Sequence, residues 1–260
     1  MAQAKNPSAA RTPWHHGPSW LWLLSFAVCL GGDALLRGWV LTPLYVAGFY
    51  GGMVVIDLLT YPMLERWRAW LRPRGLRMWY LVEIGGMWIG TTILLILLAP
   101  WWLEWRWGGP PAWQVAGGAI MAVSVGIGVW AAGQMGWARL LFAGALFPPG
   151  QAAESNNVPQ FLVVAGPYRY VRNPLYDTDM ALIAGTALLT RNWGLVALLL
   201  AYIAQLVMQL RLEERELRAR FGERYIRYCQ LVPRFIPRLT PLDPAELPQP
   251  GAHAAGAPGV

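Results

Sequence analysis

The chain has 260 residues, of which 56% are hydrophobic and 13% are charged, and it contains sixteen tryptophans. This composition is unusual for a soluble globular protein and predicts a membrane protein. The formal net charge of +7 would also suit a nucleic-acid-binding protein, but the arginines are placed as membrane topology requires, so we predict no nucleic-acid partner. Two cysteines, Cys29 and Cys229, cannot provide a metal or redox framework, and we predict no metal.

Residues 1–18 are rich in Pro and Ala and are interpreted as a disordered tail. A membrane span needs about 20 mostly apolar residues, because the hydrocarbon core is roughly 30 Å thick. Four stretches within residues 19–133 meet or approach that length: residues 20–36, 40–61, 79–99 and 113–133. The first resembles a signal peptide but lacks a cleavage site, so we interpret it as an uncleaved span.

The positions of the arginines predict the orientation. The turn after the third apolar stretch holds only Arg106, beside Glu104. Five arginines follow the second stretch: Arg66, Arg68, Arg72, Arg74 and Arg77. The positive-inside rule therefore places the loop after the second stretch in the cytoplasm. Both termini and residues 134–174 then lie inside and the tryptophan-rich turn, residues 101–113, lies outside. We expect the cell inner (plasma) membrane.

Acidic residues within apolar stretches mark candidate functional positions, because they are costly in a membrane. Asp33 lies four residues before Arg37, a spacing that predicts a local helical ion pair. Asp57 and Glu83 lie near the cytoplasmic ends of the second and third spans. For these two, pairing with the basic loop and lining a polar cavity remain equal alternatives.

The fourth stretch is rich in small residues at four-residue spacings, which predicts close helix packing. These residues are Ala122, Ser124, Gly126, Gly128, Ala132 and Gly136. Residues 134–239 then form the candidate functional region. It begins with a long loop that ends in QFLVVAGPYRYVRN, and we interpret its residues 160–173 as an ordered strap leading into a helix that starts at Pro174.

Two shorter apolar stretches, residues 175–190 and 193–210, are separated only by Arg191 and Asn192 and predict a tight helical hairpin. An arginine-rich amphipathic helix follows, and residues 240–260 are interpreted as a second disordered tail. The predicted fold is therefore an all-α polytopic membrane bundle of about six spans. It includes the C-terminal hairpin and carries a cytoplasmic amphipathic C-terminal helix.

The strap sequence GPYRYVRNPLY, the hairpin, and the later pattern EE-x-x-L-x-x-x-FG-x-x-Y-x-x-Y-x-x-x-VPRFIP occur together in order. In this combination the chain resembles the isoprenylcysteine carboxyl methyltransferase and phospholipid methyltransferase group of integral-membrane enzymes. The resemblance covers roughly residues 160–238, and the first four apolar stretches resemble the family only in being apolar.

The resemblance implies an enzyme that uses S-adenosylmethionine at the cytoplasmic face to methylate a lipophilic acceptor, with membrane lipids as partners. The family's cofactor contacts correspond to Gln160, Phe161, Leu162, Val163, Tyr168, Asn173, Pro174, Leu175, Tyr176 and Glu213. Arg172, with Arg169, is a further candidate, and pairing with the cofactor carboxylate or with lipid phosphates are its two open alternatives. A carboxylate such as Glu213 can accept charge-assisted hydrogen bonds from cofactor hydroxyls or the ammonium group. We assign catalytic roles to Arg211 and Glu214, beside it in the sequence.

Two departures from the family pattern concern the acceptor. The family commonly has R-H-P-x-Y-x-G, whereas Asn173 replaces the histidine here and cannot become cationic. Gln209 stands where relatives that act on prenylated cysteine carry an arginine for the substrate carboxylate. Asp177 and Asp179 add charge at the hairpin start, to cap the helix or to attract a cationic acceptor. The acceptor atom, O, N or S, stays open.

Two other functions remain as alternatives. Sterol and steroid reductases, which use NADPH, share a similar R-x-P-x-Y strap and C-terminal region. A non-enzymatic membrane protein would use the C-terminal helix only as a lipid anchor, in which case Glu213 and Glu214 would tolerate replacement by lysine.

Overall fold

The computed structural model describes residues 19–71, 73–74, 78, 81–135 and 162–248. The described chain is helical, and a short π-helical segment, Leu81–Trp88, precedes the fourth helix. The helices in chain order are α1 (Ser19–Leu36), α2 (Leu41–Thr60), α3 (Leu64–Leu71), α4 (Ile89–Leu97), α5 (Ala99–Trp102), α6 (Ala112–Met135), α7 (Pro174–Thr190) and α8 (Trp193–Leu231).

The helical membrane bundle that the sequence predicts is confirmed. Within the described residues, three continuous helical stretches are long and apolar enough to cross a membrane: Leu41–Trp70, Ala112–Met135 and Trp193–Leu231. Two further apolar helices, Leu23–Leu36 and Gly85–Leu97, are shorter. The apolar stretches of the sequence thus become helices within a few residues of their expected bounds.

The core of the bundle forms where α1, α2, α6, α7 and α8 meet. Tyr50, Ile183, Leu195 and Tyr202 are fully buried there. The rings of Tyr50 and Tyr202 meet edge to face, with centroids 5.6 Å apart. Such aromatic contacts add specific geometry to the apolar packing, and here they fix α2 against α8.

The closest helix contact joins α6 and α7. A side chain at Gly117 would place its Cβ 2.5 Å from the Leu189 nitrogen and 2.6 Å from the Gly185 carbonyl oxygen. Further along, the Ser124 hydroxyl donates to the Thr178 carbonyl oxygen at 2.6 Å. Small residues therefore bring these two backbones together, as expected in a membrane bundle.

Helix α8 is longer than the sequence analysis predicts. It spans 39 residues and continues past Leu210 without a break as far as a kink at Gly222, where the backbone is not helical. The last span and the start of the amphipathic helix are therefore one element, and the turns after Gly222 form a second part. The change from apolar to charged side chains after Leu210 does not end the helix, because Arg, Leu and Glu are all strong helix formers. The charged residues after Leu210 thus continue the axis of the last span as far as Gly222.

The hairpin turn between α7 and α8 docks on the tryptophan-rich segment that follows α5. Trp107 donates its backbone N–H to the Arg191 carbonyl at 3.0 Å, and Trp193 donates to the Trp105 carbonyl at 2.7 Å. The Asn192 side chain accepts from the Leu195 N–H at 3.1 Å and so caps α8. We call this the tryptophan end of the bundle, and the strap lies at the other end.

Asp33 does not act as the partner of Arg37 that we expected. Its carboxylate is buried and accepts hydrogen bonds from the backbone N–H groups of Val40, Leu41 and Thr42 at 2.7 to 2.9 Å. These are the otherwise unpaired donors at the start of α2, which favour a negative charge. Asp33 is therefore a helix cap that fixes the turn between α1 and α2.

The prediction of a disordered tail from residue 240 is wrong for residues 240–248. Leu242 and Leu247 are buried, at 0% and 3% exposure. The Asp243 carboxylate accepts from the Ala245 N–H at 3.0 Å, and Glu246 bonds back to the Asp243 N–H at 3.2 Å. Burial of the two leucines holds this segment against the rest of the protein, although its composition, rich in Pro and Ala, predicted disorder. Residues 1–18 and 249–260 lie outside the described residues.

Candidate active site

The described part of the strap, residues 162–173, lies against the segment that follows α8. The Arg172 N–H donates to the Pro233 carbonyl at 2.9 Å, and the Arg238 N–H donates to the Tyr170 carbonyl at 3.0 Å. The Tyr228 hydroxyl of α8 donates to the Tyr168 carbonyl at 2.7 Å. These bonds hold the strap as an ordered segment over the charged half of α8.

An apolar cluster at the end of α8 packs against the strap. Tyr225, Tyr228 and Val232 are buried in this cluster, and Leu162 and Val164 of the strap pack against it. Leu162 and Val163, two of the expected cofactor contacts, are partly buried. Two others, Gln160 and Phe161, lie outside the described residues.

Glu213 forms the centre of a compact polar cluster. The Tyr176 hydroxyl donates to Glu213 Oε1 at 2.5 Å, and Gln209 Nε2 donates to the same oxygen at 3.1 Å. Gln209 Nε2 also lies 2.7 Å from the Tyr176 hydroxyl. The structure thus brings together two of the expected site residues, Tyr176 and Glu213, that are 37 positions apart in the chain.

A row of polar side chains continues from this cluster into the apolar half of α8. Gln205, Gln209 and Glu213 are spaced by four residues and therefore share one face of the helix. Gln205 Nε2 donates to Gln209 Oε1 at 2.8 Å and also to the carboxylate of Asp57 on α2. Asp57 is therefore hydrogen-bonded to this polar row, a contact that neither of the two alternatives for Asp57 specified. The side chain of Glu83 is not among those described.

A second, partly buried carboxylate lies beside this row. Asp179 of α7 accepts hydrogen bonds from the Tyr50 hydroxyl at 2.8 Å and from the Tyr202 hydroxyl at 2.9 Å. It joins α7 to α2 and α8, and its hydrogen bonds offset the cost of burying it. Asp179 thus serves neither as the helix cap nor as the free charge that the sequence analysis considered.

Tyr168 of the strap presents a buried hydroxyl that lacks a hydrogen-bond partner among the described residues. Burial, and then the negative charge of Glu213, raise the pKa of this phenol above its ordinary value. The hydroxyl therefore keeps its proton and remains a donor. Because buried polar groups are normally paired, an unpaired donor near a carboxylate suits a bound polar ligand.

Arg172 and Glu214 form an ion-pair cluster next to the Glu213 cluster. The Glu214 carboxylate is buried and accepts from Arg172 Nη1 at 3.1 Å and from Arg234 Nη2 at 2.8 Å. Arg218 lies within 3.5 Å on the same helix. This geometry favours a structural role for Glu214, joining α8 to the strap and the C-terminal segment, over the catalytic role that we expected.

Arg172 itself is occupied in part. Its Nη1 also donates to the Cys229 sulfur at 2.8 Å, whereas its Nε is buried without a partner among the described residues. The expected cofactor contact thus depends on donors other than Nη1, such as Nε. Asn173 is also occupied, because its side-chain amide donates to the Arg234 carbonyl at 3.1 Å.

Pro174 is buried at the first position of α7, and Leu175 is partly buried beside it. Arg211 is exposed, and two residues at about 100° each separate it from Glu213 on the helix, so the two side chains point to nearly opposite faces of α8. The structure therefore gathers Tyr168, Tyr176 and Glu213 and leaves Arg211 outside the group.

Sequence reasoning missed the participation of Gln205 and Asp57. It noted Gln209 only as a departure from the family pattern. The signal was available in the four-residue spacing of Gln205, Gln209 and Glu213, which predicts one polar face on an apolar helix. The contact with Asp57, 148 positions away, has no such local signal. Within the described residues, no group of three or more His, Cys, Asp or Glu side chains is arranged to hold a metal.

Comparison with known protein families gives a match that covers this region. Residues 113–224 match the model of a family described as phospholipid methyltransferase. No curated protein and no solved structure matches the chain. The matched residues include α6, the hairpin and the Glu213 cluster. The match confirms the resemblance indicated by the motifs, and it extends to the fourth apolar stretch, in which we had found only apolar character.

Proposed function

Starting from the match to phospholipid methyltransferases over residues 113–224, we propose that the chain binds S-adenosylmethionine between the strap, α7 and α8. It transfers the methyl group to a lipophilic acceptor that arrives from the bilayer. The strap end of the bundle faces the cytoplasm, as the arginine distribution predicts. The acceptor is a lipid, an isoprenoid or another small apolar molecule.

The observation that carries this proposal is the arrangement around Glu213. A carboxylate held by Tyr176 and Gln209 lies near the Tyr168 hydroxyl, which has no hydrogen-bond partner in the described part of the chain. The cofactor carries hydroxyl and ammonium donors as well as a carboxylate acceptor. The cluster supplies groups of both kinds, so its donor and acceptor set fits the cofactor that the family match implies.

In this proposal Glu213, Tyr168 and Arg172 each have a defined role in cofactor binding. Both described hydrogen bonds to Glu213 go to Oε1, which leaves Oε2 to accept from a ribose hydroxyl or an ammonium group. The Tyr168 hydroxyl and Arg172 Nε donate to acceptor atoms of the ligand. The strap, bonded to the C-terminal segment, covers the ligand and excludes water.

When bound, the cofactor supplies a methyl group on a positively charged sulfur. A nucleophilic atom of the acceptor bonds to the methyl carbon as the carbon–sulfur bond breaks, and S-adenosylhomocysteine leaves. The chain therefore needs no nucleophilic side chain of its own, and its contribution is alignment and exclusion of water. The polar row from Glu213 to Asp57 extends this environment into the apolar half of the bundle. A lipophilic acceptor can place its polar head there.

Binding of S-adenosylmethionine and S-adenosylhomocysteine to the purified protein in detergent tests the proposal. We expect binding by the wild type and a loss of about 2 kcal/mol, or about thirtyfold in affinity, in Glu213→Gln, because a charged acceptor becomes neutral. Titration calorimetry measures both values.

Glu223→Gln is the matched control, since Glu223 lies exposed on the same helix, ten residues further along. It should bind like the wild type. Absence of binding in the wild type, or equal affinities in wild type and Glu213→Gln, would refute the proposed cofactor site. Quenching of NADPH fluorescence by the protein would instead favour the reductase alternative.

A further inference from the structure

A groove runs along the outer surface where α8 passes the end of α2. It has a volume of about 470 Å³, and Tyr61 forms the wall on the α2 side. The α8 side is lined by Ala204, Val207, Met208, Arg211, Leu212 and Arg215. Ala204 and Val207 are exposed, so this part of the groove is open to the surroundings of the bundle.

The α8 wall changes character along its length. Ala204, Val207 and Met208 are apolar and belong to the last turns of the membrane span, whereas Arg211 and Arg215 follow directly in the charged half. The two arginines are four residues apart and therefore share one face, about 6 Å apart along the axis. One surface thus offers an apolar strip that ends in two cations.

Neither Arg211 nor Arg215 forms an ion pair with a carboxylate among the described residues. Four other arginines of this region do: Arg172, Arg218, Arg220 and Arg234. Two exposed guanidinium groups without a counter-ion, next to an apolar strip, are complementary to an anion that carries a hydrocarbon chain.

We propose that this groove binds an intact membrane phospholipid that is not the methyl acceptor. Its phosphate lies between Arg211 and Arg215, and one acyl chain follows Val207 and Ala204 toward the membrane centre. Guanidinium groups bind phosphate with paired, charge-assisted hydrogen bonds.

The arginine end of the groove faces away from the candidate active site. Arg211 and Arg215 each lie two residues from Glu213 and point to nearly the opposite face of α8. Glu213 points toward Tyr176, inside the bundle. The lipid therefore holds the cytoplasmic end of α8 at the membrane surface, and the inference does not depend on the proposed methyl transfer.

The test is lipid binding to the full chain in detergent, measured by native mass spectrometry without any methyl donor. The probes are dioctanoyl phosphatidylglycerol and dioctanoylglycerol, which lacks the phosphate. We expect the wild type to bind the first and not the second. Arg211→Gln/Arg215→Gln should bind it about tenfold more weakly, and Val207→Trp should have a similar effect because it fills the groove without changing charge.

Arg66→Gln/Arg227→Gln removes the same charge from two exposed arginines outside the groove and should bind like the wild type. Equal weakening in this control, unchanged binding in Arg211→Gln/Arg215→Gln, or equal binding of both probes would overturn the proposal. Affinity for S-adenosylhomocysteine, measured in parallel, should be the same in all three variants, so failure of the lipid site is distinguishable from failure of the proposed function.

Discussion

At the scale of single residues, Gln209 takes on a role that its place in the family pattern did not suggest. Its amide bonds both Glu213 and Tyr176, and its carbonyl accepts from Gln205. A side chain with a donor and an acceptor can link a buried carboxylate to a second amide, whereas an arginine there would carry donors only. Gln209 thus positions Glu213 instead of holding a substrate carboxylate.

Replacing Gln209 tests this positioning role. Gln209→Leu keeps the size of the side chain but removes one of the two described hydrogen bonds to Glu213, so the carboxylate is less well oriented. We expect affinity for S-adenosylhomocysteine to fall about tenfold, corresponding to about 1.4 kcal/mol for a hydrogen bond to a charged group. Titration calorimetry in detergent gives the value.

Gln230→Leu serves as the control, because Gln230 is exposed near the end of the same helix. It should leave the affinity unchanged. Gln209→Glu restores an acceptor but not the donor and should not rescue binding. If Gln209→Leu binds the cofactor product as well as the wild type, Gln209 does not position Glu213.

The two neighbouring carboxylates also bear on the anchor alternative. That alternative requires Glu213 and Glu214 to tolerate lysine. Glu214 is buried among arginines, so a lysine there would leave several cations without a counter-charge, which is strongly unfavourable. The observed pairing therefore opposes a function in which these residues are interchangeable surface charges.

At the scale of elements, the contact between α6 and α7 positions the first helix of the hairpin. Gly117 and Gly185 face each other at the tryptophan end, and Ser124 bonds the Thr178 carbonyl further along. Since Thr178 lies in the first turns of α7, this packing also sets the position of Tyr176. The helix contact and the candidate site are thus structurally connected.

A substitution in this contact should destabilise the fold. Gly117→Val places side-chain atoms where the α7 backbone lies, with a Cβ only 2.5 Å from the Leu189 nitrogen. The helices must separate, at a cost of about 3 kcal/mol. We expect a lower yield of monodisperse protein and a lower Tm in detergent.

Gly126→Val is the matched control on the same helix, because no atom lies within 4 Å of a Cβ at that position. Its Tm should remain close to that of the wild type. Equal Tm values for the two variants would show that the α6 and α7 backbones are not in close contact at Gly117.

The sequence predicted that the fourth span packs closely, but it did not predict which small residues make the contact. Gly126 belonged to the expected set and faces open space, whereas Gly117, which was not in that set, lies at the closest approach. Composition alone shows that a helix can approach another closely. The rotation of the helix depends on its partner, which is a property of the tertiary structure.

The end of the last helix was also not predicted from the sequence. Charge after Leu210 indicated the membrane boundary, and we placed an element boundary there as well. Solvent and membrane limits are set by polarity, whereas helix ends are set by backbone hydrogen bonding and by residues such as Gly and Pro. The two limits need not coincide, and in α8 they do not.

At the scale of the whole molecule, the structure joins distant segments at the strap end. Polar contacts from α2, α7 and α8 meet in the row from Asp57 to Glu213. The strap and residues 232–248 cover the charged half of α8 from the other side. A polar interior that opens toward apolar helices suits chemistry between a water-soluble donor and a membrane-borne acceptor.

The apolar helices and most of their bounds were predictable, because each depends on a local apolar run. The short, charged α3 and the length of α8 were not. The pairing of Tyr176 with Glu213 was also predictable, through the family resemblance. The contact of Asp57 with Gln205 and the burial of Leu242 and Leu247 were not, since each depends on segments far apart in the chain. The local pattern of residue types along the sequence does not show which distant residues come into contact.

The central claim is that the chain transfers a methyl group to a lipophilic molecule. Its most direct test is incubation of the purified protein with a membrane lipid extract and isotopically labelled S-adenosylmethionine, followed by mass spectrometry of the organic phase. We predict a labelled lipophilic product that requires the wild-type protein and is strongly reduced with Glu213→Gln but not with Glu223→Gln. Binding of the cofactor without any labelled product in the lipid fraction would contradict a lipophilic acceptor.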